Sequence, residues 1–271
     1  MHFTISGFGG EPEKKDTARM EGEGEMSQPA PRRSVAQIRF PERGVTLAYY
    51  NDQFDLKVGD LVYVDGKLEG YLGHVVGVSY NFKIKLSDYK RVIALVNTHV
   101  HGKFYLSDSY VLTFDPAALP AEQAASWFKA PSAGEEYVGG SDDSSFPLEH
   151  LEQMKVDEVI AERGYNYYIE NRVRYICLNG TKGYAIVEGT NAYTVEFAYQ
   201  DGEIRSLVCD CFCPDHCKHE FAAMLQLKDF LAYIQERNFG EFEKTGYVAA
   251  VTKAAFYAFA IAKHSEGCIT L

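Results

Sequence analysis

The residues from Cys209 to His219 read Cys-Asp-Cys-Phe-Cys-Pro-Asp-His-Cys-Lys-His. Four of the chain's six cysteines and two of its eight histidines fall in this stretch, a density that packing alone does not produce. Thiolate and imidazole are the ligands Zn²⁺ prefers, at about 2.3 Å for sulfur and about 2.0–2.1 Å for nitrogen. Buried cysteine also behaves as a small hydrophobe. That simpler reading fits badly, because Asp210, Asp215, His216 and Lys218 are interleaved and cannot all be buried. The chemistry implied is metal binding, with one zinc per chain.

Two ligand registers compete. Cys209 and Cys211 follow an apolar, strand-like run, Ile204 to Val208. Residues two apart on a strand point the same way, so both sulfurs can face one ion. Cys217 and His219 repeat the one-residue gap and open a helical pattern. The C-x-C-x₅-C-x-H set of Cys209, Cys211, Cys217 and His219 gives three thiolates and one imidazole, a closed tetrahedral shell. The other register uses Cys211 and Cys213 with the same C-terminal pair, and its three-residue loop would close more tightly. In the preferred register Cys213 is a spare thiol and His216 a solvated loop residue.

The Cys-x-Cys pair, the short loop and Cys217-Lys218-His219 followed by Glu-Phe-Ala-Ala-Met-Leu resemble the SWIM zinc finger. Arg163-Gly164-Tyr165-Asn166-Tyr167-Tyr168, Val173 and the strands ending at Cys209 resemble what precedes the finger in bacterial members. The resemblance covers roughly the C-terminal half. It implies a structural zinc and a role in binding DNA or protein. One departure stands out: members often carry proline straight after the second cysteine, whereas here Phe212 sits there and Pro214 comes one thiol later. That favours the competing register.

The 271 residues suit one large or two ordinary domains. Formal net charge is −11, unevenly placed. Residues 131–271 hold 12 basic and 22 acidic side chains, against 10 and 10 in residues 34–130. An acidic domain repels phosphate backbones, which weighs against tight nucleic-acid binding without excluding a local basic patch. Met1 to Gly10 lacks the charged start and apolar core of a secretory signal. The longest apolar run, Ala254 to Ala262, is nine residues, far short of the roughly 20 a membrane span needs. Clustered reduced cysteines suit a reducing compartment. A soluble cytoplasmic protein is expected, with no membrane partner and no evident small-molecule substrate.

The elements that must position these residues form an α+β protein. Residues 1–33 are rich in Gly, Glu, Pro and Lys and are expected to be a disordered tail. Residues 34–117 show about six short strands with glycine turns: Val35–Phe40, Val45–Tyr50, Leu61–Val64, His74–Tyr80 with Phe82–Leu86, Arg91–Val96 and Tyr110–Phe114. That spacing predicts a small closed or nearly closed β-barrel. The Val-Gly-Asp-Leu-Val-Tyr-Val run with Gly-His-Val-Val resembles Tudor-like or KOW-like barrels. Lys83, Lys85, Lys90 and Arg91 are the chain's one basic concentration, with Tyr80, Phe82 and Tyr89 interleaved. Such a stretch can form a nucleic-acid groove; its simpler reading is a solvated strand face with inward aromatics. His74, His99 and His101 lack accompanying cysteines or carboxylates and read as an exposed hairpin rather than a second metal site.

Residues 118–147 read as a linker containing a short helix, Ala121 to Phe128, and the flexible run Gly139 to Ser145, where the domain boundary is placed. Residues 148–271 read as the zinc-finger domain. A helix is expected over Leu148 to Ile169, bent or broken at Gly164. Strands follow near Val173–Leu178, Tyr184–Glu188, Tyr193–Tyr199 and Glu203–Val208, with hairpin turns at Asn179-Gly180 and Asp201-Gly202. The zinc loop then opens a helix, Phe221 to about Glu236, and a last helix is expected over Tyr247 to Lys263. Tyr165, Tyr167, Tyr168 and Tyr175 are either a recognition surface or core packing.

No catalytic constellation emerges. A zinc hydrolase keeps an open coordination position and a general base, and here four ligands close the shell. A Cys213–His216 pair is too easily produced by chance in a short loop. There is no Walker-type glycine loop. Two non-enzymatic readings remain: a nucleic-acid-binding module for DNA or RNA, and a protein-interaction adaptor with a purely structural zinc.

Overall fold

Among the described residues, two clusters of buried apolar side chains stand apart, one centred on Ile38, Phe40, Val62 and Val75, the other on Leu112, Ile176, Val187, Met224 and Leu227. They are the cores of two units: residues 6–96, and residues 97–271 together with 1–5. The structure is a computed structural model that describes residues 3–5, 31–131, 145–261 and 267–270. Most of the tail expected over 1–33 and the run Gly139 to Ser144 lie outside the described residues.

The chain begins with a strand, β1 (Phe3–Ile5), which belongs to the second unit and pairs in parallel with the last strand, so this part of the expected tail is sheet. The first unit contains β2 (Ser34–Phe40), β3 (Val45–Asn51), β4 (Leu61–Val64), β5 (Gly73–Ser79) and β6 (Val92–Leu95). They form one sheet in the order β3-β2-β5-β4-β6. The sheet is open. Tyr50 on β3 makes one isolated parallel bridge with Arg91, the residue before β6. The closed or nearly closed barrel expected from the sequence is corrected for a simple reason: one of its strands does not form and another pairs in the other unit. Residues 80–91 connect β5 to β6 through a 3₁₀ turn, Leu86–Asp88, instead of a strand. Tyr110 to Thr113 pairs in the other unit.

The second unit continues with β7 (Lys103–Leu106), β8 (Tyr110–Thr113), α1 (Ala121–Phe128) and β9 (Ser145–Pro147). Then come α2 (Glu158–Ile169), β10 (Val173–Asn179), β11 (Lys182–Glu188), β12 (Ala192–Gln200) and β13 (Glu203–Cys209). The chain ends with α3 (Lys218–Arg237), α4 (Phe239–Thr245), β14 (Tyr247–Thr252), α5 (Lys253–Phe259) and β15 (Gly267–Thr270). The ten strands form a single sheet ordered β1-β15-β7-β8-β14-β10-β11-β12-β13-β9. The meander β10 to β13 is antiparallel throughout, as its alternation and turns predict. Asp201 and Gly202 both take positive φ, 53° and 84°, the backbone of a two-residue hairpin turn.

The unit boundary lies at residues 96–97, earlier than the glycine-serine run, because β7, β8 and α1 join the larger core. Two helical expectations also change. Residues 148–157 stay out of α2, since Asp157 caps it by accepting the Ile160 N–H at 2.9 Å. Tyr247 to Thr252 is a strand buried at every position, set between β8 and β10. A strand covered on both faces reads as a continuous apolar run, which periodicity cannot tell from a buried helix.

Gly164 neither bends nor breaks α2. A Cβ there would lie 2.9 Å from the Lys218 carbonyl oxygen and 2.9 Å from Phe221 Cβ, so the glycine is where α2 crosses the first turn of α3. The buried residues of α3, among them Ala223, Met224, Leu227 and Ile234, share the cluster formed by the meander's inner face.

Candidate metal centre

The last strand of the meander ends at Cys209, opposite Val195 on β12. Asp210 prolongs the pairing by one residue. Its N–H donates to the Thr194 carbonyl at 3.1 Å, and its carboxylate accepts the Thr194 N–H at 2.8 Å. Lys129 makes an ion pair with the same carboxylate. Cys209 and Cys211 thus flank a residue fixed to the sheet edge.

Cys217 is the N-cap of α3. Its Sγ accepts the Glu220 N–H at 3.4 Å, while the Glu220 carboxylate accepts the Cys217 N–H at 2.8 Å. This is a capping box with cysteine in the serine position. Glu220 is buried, which raises the pKa of its carboxyl, and its Oε2 also lies 3.1 Å from His216 Nδ1. His219 follows in the first turn, 2% exposed. Tyr193 stacks on its ring at 4.2 Å and 20°, and Tyr167 meets it obliquely at 5.6 Å. A Cβ on Gly189 would stand 3.2 Å from His219 Nε2, so glycine leaves the imidazole its space.

These supports bring Cys209, Cys211, Cys217 and His219 together, with one ligand atom from each inside 4.8 Å of all the others. Cys209 Sγ and Cys217 Sγ each lie 3.7 Å from His219 Nδ1. A tetrahedral zinc with ordinary bond lengths separates sulfur and nitrogen ligands by about 3.6 Å. The four residues therefore fit a tetrahedral metal ion, bound on the histidine side through Nδ1. His219 Nε2, buried and without a hydrogen-bond partner, would then carry the ring proton. Cys213 is exposed and outside the group, as the preferred register requires. Phe212, beside it on the loop, is 83% exposed.

The thiols do not titrate alike. Cys217 is held well below the ordinary thiol range because its sulfur accepts from Cys209; the contact with His219 and the Glu220 N–H add to this. Cys209 is pushed far up, first because its S–H donates a hydrogen bond to the Cys217 sulfur and then by burial. Cys211 is raised, chiefly by burial.

The basic residues of the first unit are not a strand face. Lys83 and Lys85 are exposed on the connection between β5 and β6. Lys90 is exposed, its stem within reach of a Cβ built on Gly66. Arg91 is committed elsewhere, to Asp52 at 2.8 Å and over the Tyr50 ring at 5.3 Å. Of the interleaved aromatics, Phe82 turns its ring to Tyr50 and Tyr80 lies beneath Arg32. His99 and His101 have ring centroids 6.3 Å apart and join no ligand cluster among the described residues. Among the four tyrosines, Tyr175 is core, Tyr165 is 52% exposed, Tyr168 bonds Asp229 and Tyr167 supports the metal centre.

The sequence reading missed Glu220, Tyr193 and Gly189. Glu220 was detectable, because Cys217-x-x-Glu220 has capping-box spacing. Tyr193 and Gly189 reach the site only through the β11–β12 hairpin and carry no local signal. Among the described residues no helix is long and apolar enough to cross a membrane. No family model, curated protein or solved structure matches the chain.

Proposed function

We propose that the chain is a SWIM-type module whose Cys209, Cys211, Cys217 and His219 hold one structural Zn²⁺, and that it binds nucleic acid, DNA in the first instance, without catalysis. The observation that carries this reading is the ligand set, three sulfurs and one imidazole nitrogen gathered at tetrahedral spacing where a strand end meets a helix start. Sulfur-rich four-ligand sets select zinc and leave no coordination position for a substrate. That supports a non-enzymatic role, and the reducing conditions such a site needs support a cytoplasmic one.

Nucleic-acid binding is supported by the exposed cations Lys83, Lys85 and Lys90, with Arg91 beside them, and by the SWIM resemblance. The test is retention on DNA across a salt series. Phosphate contacts make affinity fall steeply with salt. Absence of retention at low salt would overturn the reading.

A protein-interaction adaptor is the second reading. The acidic balance of residues 131–271 and the exposed Phe212 on the zinc loop favour it. An adaptor would keep its zinc and show no retention on DNA or RNA.

A further inference from the structure

Beside the metal centre, in an otherwise acidic unit, lies a cavity of about 340 Å³ lined by Arg163, Asn166, Tyr167, Glu170, Arg172 and Lys218. Three cations against one carboxylate give it a formal charge of +2. The residues come from both ends of the metal-centre support. Arg163, Asn166 and Tyr167 are on α2, around the crossing at Gly164. Lys218 opens α3, between the ligands Cys217 and His219. Asn171, in the left-handed conformation at φ 53°, turns the chain back after α2, and the Arg172 N–H donates to the Tyr167 carbonyl at 2.9 Å.

Tyr167 orders the cations. The Arg172 guanidinium sits 4.8 Å from its ring centroid and the Lys218 ammonium 5.5 Å. Cation–ring contacts hold a charge in place without neutralising it. Arg172 is additionally paired to Glu170 at 2.5 Å, while Arg163 is exposed.

We infer that this cavity is the phosphate-binding surface of the module, taking the backbone of a nucleic-acid strand. Sites for small molecules are lined mainly by apolar groups with a few polar ones placed among them. Here the polar groups around the one aromatic ring are three cations, a carboxylate and an amide, a set that suits a solvated polyanion. Within the acidic residues 131–271, like charge disfavours a strand away from this patch. The inference rests on the nucleic-acid reading above and assigns it to the second unit. It also ties binding to the metal, since Lys218 is held between two ligands.

The test uses the full zinc-loaded chain and a fluorescein-labelled 20-nucleotide single strand, followed by anisotropy across a salt series. Arg163→Gln/Arg172→Gln/Lys218→Gln should weaken binding roughly tenfold or more at low salt and reduce the log–log salt slope by about 2, the value for three lost contacts on a single strand. Glu170→Gln removes the one negative charge and should tighten binding, a gain that a misfolded variant cannot mimic. Zinc content at the parent level in both variants shows that the fold is kept. If the parent binds and neither variant changes affinity or slope, the cavity is not the surface, while nucleic-acid binding itself stands. If the parent does not bind the strand at all, both readings fall.

Discussion

At the residue scale the chemistry lies in four side chains and the atoms that orient them. Cys209→Ser or Cys217→Ser should lose the metal, because serine is a poor zinc ligand, whereas Cys213→Ser should keep it, since Cys213 is exposed outside the group. Elemental analysis of the purified variants separates the two registers; metal retained in Cys209→Ser and lost in Cys213→Ser would reverse the assignment. Proton release gives a second check. In the metal-free site Cys217 is held low, and Cys209 and Cys211 are held high. Zinc binding should then displace protons chiefly from Cys209 and Cys211, with less to remove from Cys217. Affinity should fall as pH falls, because the thiol ligands must lose their protons to bind, and less steeply than for three ordinary thiols. Zinc titrations in buffers of different ionisation enthalpy count the protons, and three released per zinc would show that Cys217 is not ionised beforehand. The candidate ligands were legible from type and spacing, with two registers open. The stacking of Tyr193 on His219 was not, because it depends on the start of β12 lying beside the first turn of α3.

At the element scale the metal centre depends on how a strand end, a helix start and a helix crossing meet. Gly164→Ala puts a methyl 2.9 Å from a backbone carbonyl that cannot move aside cheaply. Alanine gains about 1 kcal/mol of helix propensity, but overpacking costs typically 1–3 kcal/mol. The substitution should therefore be net destabilising, by about 1 kcal/mol, and should weaken zinc binding by shifting the first turn of α3. Denaturation midpoints and a competing chelator measure both; an unchanged midpoint with unchanged zinc affinity would remove Gly164 from the account. β12, β13 and α3 were readable in sequence because each keeps an exposed face, which imposes a period, while β10 and β11, buried at most positions, were marked by the Asn179-Gly180 turn between them. The strand β14 was not, because Tyr247 to Thr252 is covered on both sides and shows no alternation. The α2 start moved for a different reason: Asp157 supplies an N-cap inside a run whose apolar spacing looks continuous.

At the scale of the whole molecule there are two units with separate cores, and the candidate metal ligands all lie in the second. Chelation should loosen the second unit and leave the five-stranded sheet of the first folded. Amide exchange monitored with and without chelator reads this unit by unit; simultaneous loss of protection in both would contradict separate cores. The acidic second half and a basic concentration in the first were visible in composition. What composition could not show is that Arg163, Arg172 and Lys218, 55 positions apart at the extremes, share one cavity beside the metal. Nor could it show that β8 crosses into the larger sheet, because strand partnership is a long-range property.

The central claim is that the strand end and helix start at Cys209 to His219 are held by one zinc ion. The most direct measurement is the metal content of the full chain, purified without added metal and dialysed. One zinc per chain, released in step with thiol modification of Cys209, Cys211 and Cys217, is the predicted result; a folded chain with no zinc, or with the metal retained after all three thiols are blocked, would contradict it.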